Sequence, residues 1–295
     1  MKISRGSLGR KSFWRSFGRG VLGFRTHSRL GYNKGVFMRP FHRGVVGTMY
    51  NQILRDIGKP RSKTAYQMLL SFTDYIMAID PILDSPDFVH RQSKQIGLRD
   101  IKSLDVSRER ASLFVKLLKN SKLSKEKKSQ IVKIFSNFRR NAGKGVHKTF
   151  QDPFADYLEV AKGVNMTAGE MFGTFAELAC VLHDVPRQQT IVLRDAYKTC
   201  SNALQFVDDI KDCLKDYGVQ QNLLIGLAKT NSQESGVLER QSRKRSKVSI
   251  GWVRKNLPQS FARAEVEFLK LLNAIPNYSG RGSLIQFAKD AFYGF

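Results

Sequence analysis

The residues point to an all-α protein. Apolar side chains recur every three or four positions through 65–80, 108–148, 167–184, 191–215, 258–273 and 282–292, the rhythm of helices with one buried face. Alternation of valine or isoleucine with polar residues is nearly absent, which argues against a sheet. Pro60, Pro86, Pro153 and Pro186 fall between the periodic stretches, where helices end. With 295 residues, 41% of them hydrophobic, the chain can bury one large core or two modest ones.

Two domains are expected, an arm over 1–48 and a helical body over 49–295. The arm carries no acidic residue, and the first acid in the chain is Asp56. Arg5, Arg10, Lys11, Arg15, Arg19, Arg25, Arg29, Lys34, Arg39 and Arg43 run through it, interleaved with Phe13, Trp14, Phe17, Phe24, Tyr32, Phe37 and Phe41. It holds no long apolar run, so it reads as neither a secretory signal nor a membrane span. Two readings remain open. One is an arginine- and serine-rich organelle transit peptide. The other is an arm that lays arginines on phosphates and stacks aromatics on bases.

Within the body, the first helix is expected over 65–80, preceded by GKPRSK at 58–63. DPILD at 80–84 fits a helix start, with Asp80 as N-cap and Pro81 in the first turn. Its two aspartates, Asp80 and Asp84, are also spaced to grip a cation. Residues 108–148 read as two amphipathic helices with a lysine-rich outer face, joined at NSKLSKEKK. Against thirteen basic residues this region sets only Glu109 and Glu126. Long helices are expected over 167–184 and 191–215, with His183 capping the first. The polar stretch 230–249 reads as a loop, with Arg243, Lys244 and Arg245 as a phosphate-contacting patch. Helices over 258–273 and 282–292 close the chain. Cys180, Cys200 and Cys213 sit in apolar helical contexts and read as reduced core cysteines. The five histidines show no metal spacing.

The most informative stretch is ALQFVDDIKDCLKD at 203–216. Asp208, Asp212 and Asp216 recur every four residues and share a helix face, with Asp209 beside them. Carboxylates so placed repel one another unless a cation sits between them. Mg²⁺ is hard and prefers oxygen ligands, so a magnesium site on Asp208 and Asp212 is one reading. An acidic face paired with nearby lysines is the other.

Gln205 followed after two residues by Asp208, Asp209 and Asp212 resembles the second aspartate-rich motif of trans-polyprenyl diphosphate synthases. Residues 157–182 are similar to that family's Lys-Thr element and small-residue helix, and the tail from Ala262 is similar to its last two helices. The resemblance covers roughly half the chain and implies an isoprenoid-synthase-like helical bundle. It further implies that Asp80, Asp84, Asp208, Asp209 and Asp212 hold Mg²⁺, and that Lys59, Arg61 and Arg91 hold substrate diphosphates. The departures are specific. Pro81 stands where the first motif has its second aspartate, a single arginine follows where the family has a pair, and Met166 replaces the lysine before Thr167.

Composition points elsewhere. Fifty Lys+Arg against twenty-five Asp+Glu leave a formal charge of +25, which speaks to partners: nucleic acid, anionic membrane or acidic protein. Two functions follow. The expectation is a non-catalytic, basic structural subunit without a cofactor, binding RNA and neighbouring proteins in a mitochondrial assembly such as the mitochondrial ribosome. The alternative is a Mg²⁺-dependent synthase condensing isoprenyl diphosphates, or the non-catalytic subunit of a heteromeric one.

Overall fold

The computed structural model describes residues 39–83, 109 and 111–293. Its helices are α1 (Arg39–Ile57), α2 (Lys63–Leu83), a helix over 111–120, and α3 (Lys125–Gln151). There follow α4 (Tyr157–Val164), a π-helical turn (Asn165–Gly169), α5 (Glu170–Leu182) and α6 (Arg187–Asp216). The chain closes with α7 (Leu223–Ala228), α8 (Ser232–Ser242), α9 (Ile250–Asn256), α10 (Pro258–Ala274) and α11 (Arg281–Tyr293). No strand occurs among the described residues, and the all-α expectation holds.

α6 is the central element. It packs against α5, the π turn, α7, α10 and α11, so its apolar residues wrap most of its circumference. Ala196, Ala203, Val207, Ile210 and Cys213 are all buried. The π turn approaches α6 closely at Gly169, where a Cβ would press on the side chains of Asn202 and Lys198. α1 and α2 cover α5 from the far side.

A second cluster of rings joins α2 to the hairpin formed by 111–120 and α3. Phe114 stacks on Phe135 at 4.9 Å between centroids, and Phe72 meets Phe138 edge-on at 5.2 Å. Burying such rings is the main stabilising term here; truncating one to alanine costs about 3–5 kcal/mol.

Helix starts follow from local chemistry. Ser124, Asp156, Asn222, Asn231 and Ser249 each accept a backbone N–H of the helix they open, the usual N-cap bond. α10 begins on Pro258 with no capping side chain of its own. Buried Glu234 of α8 supplies one instead, accepting the N–H groups of Gln259 at 2.7 Å and Ser260 at 2.9 Å and the Ser260 hydroxyl. A carboxylate also suits the positive end of the helix dipole.

Three sequence expectations are corrected. Position 48 falls inside α1, and Val46, Met49 and Tyr50 belong to the core, so the folded body starts before 49. Asp80 and Pro81 lie in the last turn of α2, not the first of a new helix; the apolar run that precedes them is long enough to carry the helix through the proline. The 230–249 stretch contains α8. Its pattern is polar because Val237 and Leu238 are its only apolar residues, and Asn231 and buried Glu234 hold it through hydrogen bonds.

Candidate functional site

Asp208, Asp209, Asp212 and Asp216 occupy the last turns of α6. Carboxylates at a helix C-terminus oppose the dipole and repel one another, so the fold has to offset them. Asp209, Asp212 and Asp216 each meet a partner brought in by a later segment.

Asp209 is buried. Its Oδ1 accepts from Gln205 Nε2 at 2.6 Å, and its Oδ2 accepts the Leu223 backbone N–H at 2.6 Å. The second bond ties α6 to the first turn of α7. Asn222 works alongside: its Nδ2 donates to the Asp209 carbonyl at 2.8 Å and to Asp216 Oδ2 at 3.1 Å. Its Oδ1 accepts the N–H groups of Leu224 and Ile225. The turn that brings residue 222 back over α6 passes through Gly218 at φ 68°, a conformation glycine adopts without steric cost.

Asp212 has 0% side-chain exposure, and Lys247 Nζ lies 2.7 Å from its Oδ1. Lys215 Nζ lies 3.5 Å from Oδ2. Lys247 arrives on a segment that folds back along α6. There the Val248 N–H donates to the Lys211 carbonyl at 2.9 Å. Arg245, at φ 46°, donates from Nη1 to the Lys215 carbonyl at 3.2 Å and the Tyr217 carbonyl at 2.8 Å. It therefore caps the C-terminal end of α6, where a cation complements the dipole.

Asp208 is half-buried. Burial pulls the Lys211 ammonium below the usual lysine range, a shift that neighbouring Asp208 and Asp212 partly offset. Burial likewise pushes the Cys213 thiol up to about 12, so it is inert as a nucleophile at neutral pH.

A magnesium site needs several carboxylate oxygens aimed at one point. Here Asp209 aims at a backbone N–H and Asp212 at two ammonium groups. Among the described residues no three Asp, Glu, His or Cys side chains converge on a common point. The spacing that places Asp208 and Asp212 on one face is present, and the ammonium groups of Lys247 and Lys215 lie beside Asp212.

The other expected site residues do not gather around this end. Ser62, beside Arg61, donates its backbone N–H to the Tyr50 hydroxyl at 3.1 Å, and that hydroxyl lies 2.6 Å from His183 Nε2. Arg61 stacks over Tyr66 at 4.5 Å, and Tyr66 stacks on Tyr50. This cluster sits where α5 ends and α6 begins. α6 rises about 27 Å between Thr190 and Asp208, so Arg61 stands at the opposite end from the carboxylates. Lys59 belongs to the same turn and lies close enough to His183 to lower its pKa. α2, which bears Asp80, packs on α1 and α5; the Asp80 side chain, Asp84, Arg91 and the arm through Lys34 lie outside the described residues, as do the side chains of Arg39 and Arg43. Arg243 and Lys244 are exposed on the surface.

At the Lys-Thr-like position the π turn is self-contained. The Thr167 hydroxyl donates to the Gly163 carbonyl at 3.1 Å, the Ser201 hydroxyl to the Ala168 carbonyl at 2.8 Å, and Asn202 Nδ2 to Asn165 Oδ1 at 2.9 Å. One turn on, buried Glu170 pairs with Lys198 and with Arg194, the latter at 3.2 Å. Between α1, α5, α6 and α11 a cavity lined by Met49, Phe172, Tyr197, Cys200 and Phe287 holds about 20 Å³, room for one water.

No family model matches the chain, and no match to it was found among curated proteins. Solved structures are similar to it in fold. Geranylgeranyl pyrophosphate synthetase from Pyrococcus horikoshii superposes with a TM-score of 0.61 at 12% identity, over 97% of this chain and 99% of that one. A decaprenyl diphosphate synthase from Rhodobacter capsulatus gives 0.58 at 13% identity, over 96% and 98%. Heptaprenyl diphosphate synthase from Staphylococcus aureus gives 0.58 at 13% identity, over 99% and 98%. The fold is thus the all-α isoprenoid synthase bundle that the motif at 205–212 suggested.

Proposed function

We propose that this chain is a non-catalytic, basic structural subunit built on the isoprenoid synthase bundle, binding RNA among neighbouring proteins in a mitochondrial assembly such as the mitochondrial ribosome. The observation that carries the non-catalytic part is Asp212, buried and ion-paired to Lys247 at 2.7 Å. With Asp209 bound to the Leu223 N–H, two of the three motif carboxylates serve the fold. The position of Arg61 at the far end of α6 points the same way. The RNA part rests on charge: a formal +25 favours a polyanionic partner. No metal or organic cofactor enters this reading.

One observation favours the alternative of a Mg²⁺-dependent prenyl transferase, or of a silent partner in a heteromeric one: Asp208 is only half-buried and stands in an unbroken Gln205–Asp208–Asp209–Asp212 motif. The deciding experiment incubates purified protein with Mg²⁺, an allylic diphosphate and isopentenyl diphosphate. The expected result is no elongation. Turnover that Asp208→Ala abolishes would establish the enzyme instead. In parallel, binding to RNA should weaken steeply with salt, and binding that is absent or indifferent to salt would remove the RNA half of the proposal.

A further inference from the structure

The hairpin of 111–120 and α3 carries a feature that the acidic end of α6 does not explain. Its inner side is fully used: Phe114, Leu118, Ile131, Ile134, Phe135 and Phe138 are buried in the core. Its outer side is exposed and cationic, with Lys119, Lys122, Lys125, Lys133, Arg140 and Lys144 all on the surface. Like charges at helical spacing destabilise a helix, and ordinary soluble helices mix signs. The acids of this hairpin are Glu109 and Glu126. Glu126 is taken up with the start of α3, hydrogen-bonded to Ser124 and to its own backbone. On α3, Lys125, Lys133, Arg140 and Lys144 fall on the side opposite the buried Ile131, Phe135 and Phe138, a stripe about 28 Å long.

We propose that this stripe is a docking surface for the sugar–phosphate backbone of structured RNA. It rests on the RNA reading above and adds where on the body the RNA lies. Charge complementarity selects the occupant. A second copy of the chain would bring the same sign and be repelled. A bilayer anchor needs an apolar face to insert, and here both apolar faces are already inside the core. The exposed aliphatics, Leu113, Val115 and Val132 at 38%, 40% and 50% exposure, are scattered rather than contiguous. A helical row of cations without aromatics or acids suits phosphate contacts, which position a duplex without reading its sequence.

The test uses the full chain and a variant with Lys125, Lys133, Arg140 and Lys144 each changed to Gln. Binding to an RNA duplex of about 20 base pairs, long enough to cover the stripe, is measured across a salt series, beside vesicles containing phosphatidylserine. Removing four phosphate contacts should reduce the magnitude of the slope of log K against log salt by about 3.6 and weaken binding more than about tenfold near 0.1 M salt. A variant that binds with the wild-type slope overturns the hairpin assignment and leaves the RNA reading standing. A wild-type chain that binds no duplex even at low salt overturns both. Vesicle binding that the variant loses, with no RNA binding, transfers the face to an anionic membrane and ends the proposal. Far-UV circular dichroism of the variant should match the wild type, since none of the four side chains is buried.

Discussion

The acidic end of α6 and the outer face of the hairpin treat charge in opposite ways. At the end of α6, four carboxylates are packed into a small space, and the chain meets them from within, with Lys247, Lys215, the cap from Arg245 and the N–H of Leu223. On the hairpin, cations accumulate at similar spacing and face outward. The first arrangement consumes charge to hold elements together. The second leaves charge for something outside. A single positive excess in the composition therefore divides into cations that complete the fold and cations that do not, and only the geometry separates them.

The contrast is sharpest at Asp209, where the largest effect is expected. Asp209→Ala removes both oxygens, leaving the buried Leu223 N–H and the half-buried Gln205 amide without their acceptor. Orphaned buried donors cost about 1–3 kcal/mol each, so urea unfolding should show a loss of about 3 kcal/mol. A catalytic metal cluster would behave the other way: with the metal removed, deleting one of several crowded carboxylates relieves repulsion and raises stability. A midpoint that is unchanged or higher in chelator would mean the carboxylates are held for a metal after all.

Lys247 tests the same end from the basic side. Lys247→Ala deprives fully buried Asp212 of the ammonium 2.7 Å away, the contact to Lys215 being longer at 3.5 Å. Breaking a buried pair from one side costs about 3–5 kcal/mol, and the partial exposure of Lys247 and the remaining lysine reduce this to about 2 kcal/mol. Adding Asp212→Asn should restore most of the loss, because the uncompensated charge is what costs. If the double variant is no more stable than Lys247→Ala, the pair contributes nothing and the carboxylate is compensated by other means.

How much of this was legible beforehand can be told from particular residues. The helix rhythm, the motif at 205–212 and the basic hairpin are local patterns, and the fold class and the family likeness of the bundle followed from them. The partners of the carboxylates are not local. Leu223 and Lys247 are brought to α6 by a glycine turn and by a returning segment whose path depends on the whole bundle. The motif alone left metal and lysine as equal occupants, and the placement of Lys247 beside Asp212 is not readable from it. α8 was missed because its stability comes from Asn231 and Glu234 rather than from an apolar stripe. Lys59 and Arg61 matched a diphosphate segment in sequence, but sequence spacing does not say at which end of α6 the turn lands. Glu234 as the cap of α10 had no signal beyond the missing N-cap side chain before Pro258.

Among the hairpin cations Lys127 turns inward, and it links the two kinds of region. Lys127, in the first turn of α3, pairs with Asp184 at 2.6 Å and faces His183. Burial first, then Lys127 and Lys59, lower the His183 pKa, while Asp184 raises it. The Tyr50 hydroxyl against Nε2 suits a neutral ring that accepts its proton. The folded pKa lies below the free-histidine value near 6.5, so in the interval between the two the unfolded chain binds a proton that the folded one refuses. Stability is then full above about pH 6.5 and falls as the pH drops toward the folded value. Melting temperature measured from about pH 7.5 to 5.5 should decline in the wild type and decline less in His183→Gln. Equal slopes would mean that His183 titrates normally and that the inward lysine exerts no field on it.

The smallest effect belongs to the outer face, and its smallness is the informative part. Lys133→Gln, or the Gln variant at Lys125, Lys133, Arg140 and Lys144 together, removes side chains that complete no buried pair. Surface substitutions of this kind stay within about 0.5 kcal/mol, and the sign should be toward greater stability at low salt, where like charges along a helix repel over a longer range. Raising the salt should erase the difference as screening replaces the substitution. A loss as large as that of Lys247→Ala would place the hairpin cations among those that complete the fold, and the division between the two regions, together with the RNA surface drawn from it, would fall.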